Sequence, residues 1–154
     1  MEISLANAQD IPKLVNYFRE NNESHNDFME KRIKYFIENN LIVLAKEKEE
    51  IIGQIFVQIK EKPRLGVAEI ETVGVNKHYQ GKGIGTELAK KAINYTKEYF
   101  EKKEILPRCI YLLTRSDNLA AHKIYEKAGF KKSNTIGKIF KEDQPEELVM
   151  NFFF

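Results

Sequence analysis

Apolar residues along the chain follow two rhythms, a two-residue alternation and a three-to-four-residue stripe, and the switches between them delimit the elements. Ile3 and Leu5 alternate with polar neighbours and predict a short first strand. Asp10 is placed to cap a helix that carries Pro12 in its first turn and the stripe Leu14, Val15 and Phe18, ending near Asn21-Asn22. A second helix is predicted from about Asn26, with Met29, Ile33, Phe36 and Ile37 on one face. Leu41 to Ala45 and Ile51 to Ile59 read as the two arms of an antiparallel hairpin around the charged turn from Lys46 to Glu50. Pro63 to Gly66 turns the chain into a third long strand, Val67 to Val75. A glycine-rich stretch then leads to Ile84, Leu88, Ala92 and Tyr95 at helical spacing. Pro107 closes that unit, Cys109 to Thr114 is a further strand, and Asn118 to Ala128 a short helix with Gly129 just past its end. The last stretch, Leu148 to Phe154, is rich in strand formers. Strands gather early and a strand–helix–strand–helix unit occupies the centre, so the fold class is α+β, a mixed sheet with helices on its faces.

Composition narrows the function classes. The 154 residues make one domain, with no linker or repeat to divide 1–154. A chain of this length buries enough surface to need no disulfide or metal staple, and the single cysteine, Cys109, has no partner within the chain. A formal charge of +2 is too balanced for a general nucleic-acid surface. No apolar run approaches a membrane span, and Met1-Glu2-Ile3-Ser4 lacks a basic, apolar leader, which predicts a cytoplasmic protein.

The most informative segment is Val73-Gly-Val-Asn-Lys-His-Tyr-Gln80-Gly-Lys-Gly-Ile-Gly-Thr86, between a strand and a helix. Amides at a helix start have no internal partner, and the helix dipole favours an anion there. Glycines at 81, 83 and 85 let the main chain curl and approach a ligand, so the expected product is a cradle for phosphate or diphosphate. Gly81-Lys82 is followed by Gly83 rather than Ser or Thr, so this is not a P-loop. Read from Gly81, the sixth residue is Thr86, so it is not a dinucleotide fingerprint either.

Gln80-Gly-Lys-Gly-Ile-Gly85 resembles the Q/R-x-x-G-x-G/A signature of the GNAT superfamily of N-acetyltransferases. Glu69-Ile-Glu-Thr-Val-Gly-Val75 resembles that family's fourth strand, and Asn118-Leu-Ala-Ala-His-Lys-Ile-Tyr125-Glu-Lys-Ala-Gly-Phe130 its N-x-x-A-x-x-x-Y-x-x-x-G-F segment. The likeness covers residues 67 to 130; residues 1 to 66 agree only in the order of their elements. It implies a mostly antiparallel sheet whose parallel fourth and fifth strands splay apart around acetyl-coenzyme A. Gln80, Gly81, Lys82, Gly83, Ile84, Gly85 and Thr86 would hold the pyrophosphate, and the backbone from Val73 through Gly74 to Val75 would pair with the pantetheine arm. Asn118 would bond the same ligand, although as a residue it equally suits the N-cap of its helix. Lys82 would add charge, or stand as a solvated surface lysine.

Acetyl transfer to an amine needs a base and an acid. An amine of pKa near 10.4 costs about 4.6 kcal/mol to present neutral at pH 7, and the departing thiolate gains from a proton donor. Glu69 and Glu71, two apart on one strand, share a face roughly 7 Å from each other, with Ala68, Ile70 and Thr72 turned to the other side. Repulsion and partial burial would suit one of them to act as base, with Glu69 slightly favoured; a solvent-facing charge pair is the alternative. Tyr125 falls where the superfamily carries its donor to the coenzyme thiol, and otherwise packs under Phe130. Tyr111, between Ile110 and Leu112, reads as core.

The remaining features carry less. His25, His78 and His122 show no ligand spacing, so no metal is expected. Cys109 reads as a small buried filler. Lys131 and Lys132 are candidates for the adenosine phosphate, and Lys97 to Glu104 for a solvated helix end. Glu23, Asp27 and Glu30 would form an acidic wall suited to a small cationic amine. The Asn151-Phe-Phe-Phe154 end either completes the sheet or supports a homodimer contact. These readings converge on an N-acetyltransferase acting on a small amine. A protein lysine or N-terminal acetyltransferase acting on a peptide amine, and a non-catalytic acyl-coenzyme A binding module, are the alternatives.

Overall fold

A computed structural model describes residues 1–21, 27–60, 62–137 and 143–154. Seven strands form one sheet: β1 (Glu2–Leu5), β2 (Leu41–Glu47), β3 (Glu50–Ile59), β4 (Val67–Val75), β5 (Cys109–Arg115), β6 (Lys131–Ile136) and β7 (Glu147–Phe153). Their spatial order is β1-β2-β3-β4-β5-β7-β6. Every pairing is antiparallel except that of β4 with β5. The expected mixed sheet is present, and β7 completes it between β5 and β6.

Helices α1 (Ile11–Glu20) and α2 (Asp27–Asn39) cover one face of the sheet, and α3 (Ile84–Glu101) with α4 (Leu119–Ala128) the other. Each layer has its own core. Leu14, Phe18, Ile33 and Phe36 pack on Leu44 and Phe56 beneath α1 and α2. Leu88, Ala92 and Phe100 pack on Val43, Ile55, Ile70 and Leu112 beneath α3. Facing α3, β2 and β3 contribute β-branched residues to a surface buried on both sides, which explains their near-continuous apolar runs.

Three local readings change. Asp10 makes no side-chain cap to α1; its carboxylate instead accepts from the Asn7 amide at 3.0 Å and from Lys46 Nζ at 2.6 Å. Asn7 is the residue that caps, at the short 3-10 turn preceding α1. The apolar pattern assigns no element to Lys131–Ile136. It forms an edge strand whose every residue is exposed, held by pairing to β7 rather than by burial. Cys109 is only partly buried, and burial raises its thiol above the ordinary range.

Two departures from regular pairing in β4 position the site. First, β4 and β5 pair only from Val67↔Cys109 to Ile70↔Leu112, although β4 continues to Val75 and β5 to Arg115. Beyond that point the strands part. Second, Phe56 pairs with Thr72 and Val57 with Ile70, which leaves Glu71 as an extra residue in a bulge. Directly paired residues share a face, so Thr72 joins Phe56 on the α1/α2 side rather than standing opposite Glu69 as plain alternation predicts. Val73 and Val75 turn toward α3 with Ala68 and Ile70.

Candidate active site

On the α3/α4 side the parted strands border a cleft of about 470 Å³. Val73 and Val75 form one wall, Tyr79, Gln80 and Gly81 the rim, and Gly83, Ile84, Gly85 and Thr86 the floor where α3 begins. The opposite wall is α4, through Asn118, Ala120, Ala121, Lys123, Ile124 and Lys127. The structure thus gathers nine of the eleven expected cofactor residues around one space. Gly74 and Lys82 lie off the lining. The pro-side-chain direction of Gly74 faces Gln54 Nε2 and the Tyr17 hydroxyl on the α1 side. Lys82 Nζ sits 4.8 Å from the centre of the Tyr79 ring.

The glycines of the loop play different parts. Gly81 and Gly83 have φ of 76° and 82°, left-handed values that L side chains rarely adopt, and nothing lies within 4 Å of where a Cβ would be. Gly85 has ordinary helical backbone, but a Cβ there would lie 2.9 Å from Ile124 Cδ1, so it sets the close approach of α3 to α4. The first hydrogen bond of α3 runs from the Glu87 amide to the Gly83 carbonyl at 3.1 Å. The amides of Ile84, Gly85 and Thr86 therefore have no acceptor within the helix. Gln80 Nε2 donates to the Val75 carbonyl at 3.0 Å and closes the loop onto the end of β4. Asn118 Oδ1 accepts from the Ala121 amide at 3.2 Å, so it caps α4; its Nδ2 makes no hydrogen bond among the described residues.

This space fits the expected cofactor in shape and donor set. It combines left-handed glycine backbone, three unpartnered amides at a helix start, and a strand edge opened where β5 departs. Strand edge and amides lie side by side, as a ligand with a peptide-like arm and a diphosphate needs.

The two carboxylates stand on the α1/α2 side, and each has a cation of its own. Glu69 Oε2 accepts from Lys60 Nζ at 2.7 Å and from the Tyr111 hydroxyl at 3.0 Å, leaving Oε1 without a partner among the described residues. The bond to Glu69 raises the Lys60 ammonium above its ordinary range, against a smaller opposing effect of burial. Burial, then the hydrogen bond to Glu69, raises the Tyr111 phenol. Tyr111 is thus not the core residue that its apolar neighbours suggest: it points to the face opposite Ile110 and Leu112 and is partly exposed. Glu71 Oε2 accepts from Arg32 Nη2 at 2.6 Å, and that guanidinium lies over the Phe36 and Phe56 rings at 5.7 and 5.4 Å. Each carboxylate of the pair expected to repel is therefore matched by a cation.

Tyr125 is buried beneath the α4 wall, with its ring edge-on to Phe130 at 5.5 Å. Burial raises its phenol far above the ordinary value, and its hydroxyl has no hydrogen-bond partner among the described residues. Of the expected acidic wall, Glu23 and the Asp27 side chain fall outside the described residues, and Glu30 meets Lys34 on the outer face of α2. Lys132 pairs with Glu126 at 3.0 Å and does not reach the cleft. Sequence reasoning missed Lys60, Arg32, Tyr79, Lys123 and Lys127. Only the last two had a visible signal, their spacing of four on the helix face shared with Ala120 and Ile124.

Fold and cleft define the class of protein: a mixed α+β domain with a glycine-lined cleft at a splayed parallel strand pair. Residues 9–130 match the acetyltransferase (GNAT) family, and the chain belongs to it. Over 76 residues it is 30% identical to a probable spermine N(1)-acetyltransferase of Bacillus subtilis subsp. natto (strain BEST195), covering 49% of this chain and 47% of that protein. Over 100 residues it is 36% identical to N-alpha-acetyltransferase 30 of Xenopus laevis, covering 63% of this chain and 34% of that protein. The matches thus span less than half the length of these curated relatives. The fold is shared with an aminoglycoside 6'-N-acetyltransferase solved in complex with coenzyme A: TM-score 0.75 at 18% identity, covering 99% and 97% of the two chains. Among the described residues, no helix is long and apolar enough to cross a membrane.

Proposed function

We propose that this chain transfers an acetyl group from acetyl-coenzyme A to a primary amine by direct attack. The carrying observation is the parting of β4 from β5 beyond Ile70–Leu112, beside the unpartnered amides of Ile84, Gly85 and Thr86. Bound there, acetyl-coenzyme A supplies a thioester carbonyl and a thiolate leaving group. The α3 amides hold the diphosphate, and the exposed edge of β4 from Val73 to Val75, with Asn118 Nδ2 across the cleft, orients the arm.

The amine enters from the α1/α2 face. Glu69 Oε1, free while Oε2 is held by Lys60 and Tyr111, accepts the proton the amine loses, directly or through one water. Glu71 and Arg32 position the acceptor beside it. Tyr125 serves the departing sulfur as a hydrogen-bond donor. Its phenol is too weak an acid to surrender its proton to a thiolate whose conjugate pKa is near 8.5. The proton on the released thiol therefore comes finally from solvent.

A small cationic amine is the favoured acceptor, in keeping with the spermine named for the Bacillus relative. A polypeptide N-terminus is the second reading. It is favoured by the 36% match to the Xenopus protein and by an acceptor face on which Lys60 and Arg32 cancel Glu69 and Glu71. Calorimetric titration with acetyl-coenzyme A, with ATP as control, tests the cofactor. Micromolar binding without affinity for ATP supports the reading, and no binding by folded protein removes it. Thiol release with spermine against a short peptide bearing a free α-amine then separates the acceptors.

A further inference from the structure

Along β7, Leu148 and Met150 pack into the core beneath α3, so Glu147, Val149 and Asn151 turn to the opposite face, the one that carries Glu69 and Tyr111. Glu147 is 4% exposed, yet no hydrogen bond or ion pair engages it among the described residues. Its cross-strand neighbour Arg115 is the cation nearest to hand but turns to Asp117, Nε to Oδ1 at 3.1 Å. Its neighbour on β6 is Ile136. A buried carboxylate without a partner is costly, which calls for a cation that arrives from outside. The oxygens of Glu147 are not among the described polar atoms that are both sealed and unpartnered, so the carboxylate keeps a narrow opening to solvent.

The way from the parted strands to Glu147 is apolar. Leu113, the first residue of β5 past its last pairing with β4, lies opposite Val149, and both are half-buried. From Leu113, Arg115 is two residues along and Glu147 one strand across, a diagonal of roughly 8 Å. That order suits a diamine, with one amine at the parted strands, methylenes over Leu113 and Val149, and the second, charged amine at Glu147. Elsewhere on this face the carboxylates of Glu69 and Glu71 already have Lys60 and Arg32. We propose that Glu147 binds the distal ammonium of the acceptor, which makes the substrate class aliphatic diamines and polyamines rather than monoamines or polypeptide N-termini. The inference rests on the acetyl-transfer reading above and chooses between its two acceptors.

Initial rates of thiol release by the whole chain, with putrescine, butylamine and a short peptide bearing a free α-amine, test this. The native protein is expected to use putrescine with kcat/KM about 30-fold above butylamine, the effect of one buried charge-assisted contact. Glu147→Gln should lose that preference through KM for putrescine, with kcat held. Glu146→Gln, an exposed neighbour, should keep it. Because Glu147 has no partner to lose among the described residues, Glu147→Gln should also be at least as stable as the native protein in urea. A lower midpoint would make its role structural and overturn the inference. Equal kcat/KM for putrescine and butylamine, a preference unchanged by Glu147→Gln, or turnover of the peptide alone also overturns it and leaves acetyl transfer standing. Failure of folded native protein to bind acetyl-coenzyme A, or to release thiol with any of the three acceptors, overturns the transfer reading, and this inference with it.

Discussion

Replacing Gly85 by alanine probes the contact that brings α3 against α4 at the floor of the cleft. The added methyl would lie 2.9 Å from Ile124 Cδ1, 3.4 Å from Cγ1 and 3.6 Å from Cγ2. Overpacking of this kind costs roughly 1–3 kcal/mol. The closest atom is the tip of a side chain only partly buried, so a value of about 1.5 kcal/mol is appropriate. Alanine's helical advantage over glycine is up to about 1 kcal/mol, and about half of that in a first turn. The net expectation is a loss of about 1 kcal/mol. Ile124→Val deletes the offending Cδ1 and costs about 0.5 kcal/mol at a half-buried site. In that background Gly85→Ala should stabilise by about 0.5 kcal/mol, giving a coupling near 1.5 kcal/mol. Urea denaturation of all four proteins, with m unchanged across the set, measures this. Additive midpoints, or a Gly85→Ala protein more stable than the native one, would refute the assignment of Gly85 to packing.

Other substitutions test separate parts of the site. A Cβ at Gly83 would meet no atom within 4 Å, but Gly83→Val forces a branched residue to φ near 82°. It should cost roughly 1–2 kcal/mol in thermal denaturation and abolish coenzyme binding in the same folded protein. Tyr125→Phe removes a hydroxyl without a partner among the described residues, so stability and coenzyme affinity should hold, while loss of a hydrogen-bond donor to the developing thiolate lowers turnover roughly 10²-fold. Unchanged turnover would return Tyr125 to a packing role. Lys60 has its ammonium pKa raised above about 10.5 chiefly by Glu69. A raised folded value gives stability that is complete below the unfolded pKa and lost as pH rises through the folded one. Lys60→Met should therefore be less stable than the native protein at pH 8, by no more than about 1 kcal/mol for a partly exposed pair, and converge with it as pH rises through the raised folded value of the ammonium. A gap that persists there would assign the loss to packing.

What could be seen in the sequence followed the range of the signals involved. The run Val67–Val75, the stripe Ile84 to Tyr95 and the Asn118 cap are local patterns, and each element formed within a residue or two of its expected place. The edge strand Lys131–Ile136 carries no such pattern, because it is held by pairing with β7, more than ten residues away along the chain. The glycines at 81 and 83 announced a left-handed loop through their identity alone, whereas the packing role of Gly85 required knowing where Ile124 would lie. The carboxylates were found, but not their neutralisation. Arg32 and Lys60 are 39 and 9 residues distant from their partners, and nothing in the spacing joins them. Tyr111 misled for a related reason: alternation tells two faces apart without saying which neighbour waits on the second.

The extra residue at Glu71 makes β4 change hands partway along its length. Before it, even-numbered positions look toward α3; after it, odd-numbered ones do. One strand can thereby offer an acid on one side and, a few residues later, a smooth valine edge on the other, with glycine 74 giving way to Tyr17 and Gln54. Deleting Glu71 would set Thr72 directly after Ile70, opposite Phe56 and Val57 as now, so Val73 and Val75 would keep facing α3. What would be lost is the kink and one acid, the carboxylate that holds Arg32. The bulge thus adds a carboxylate to the acceptor face without disturbing the valine edge beyond it.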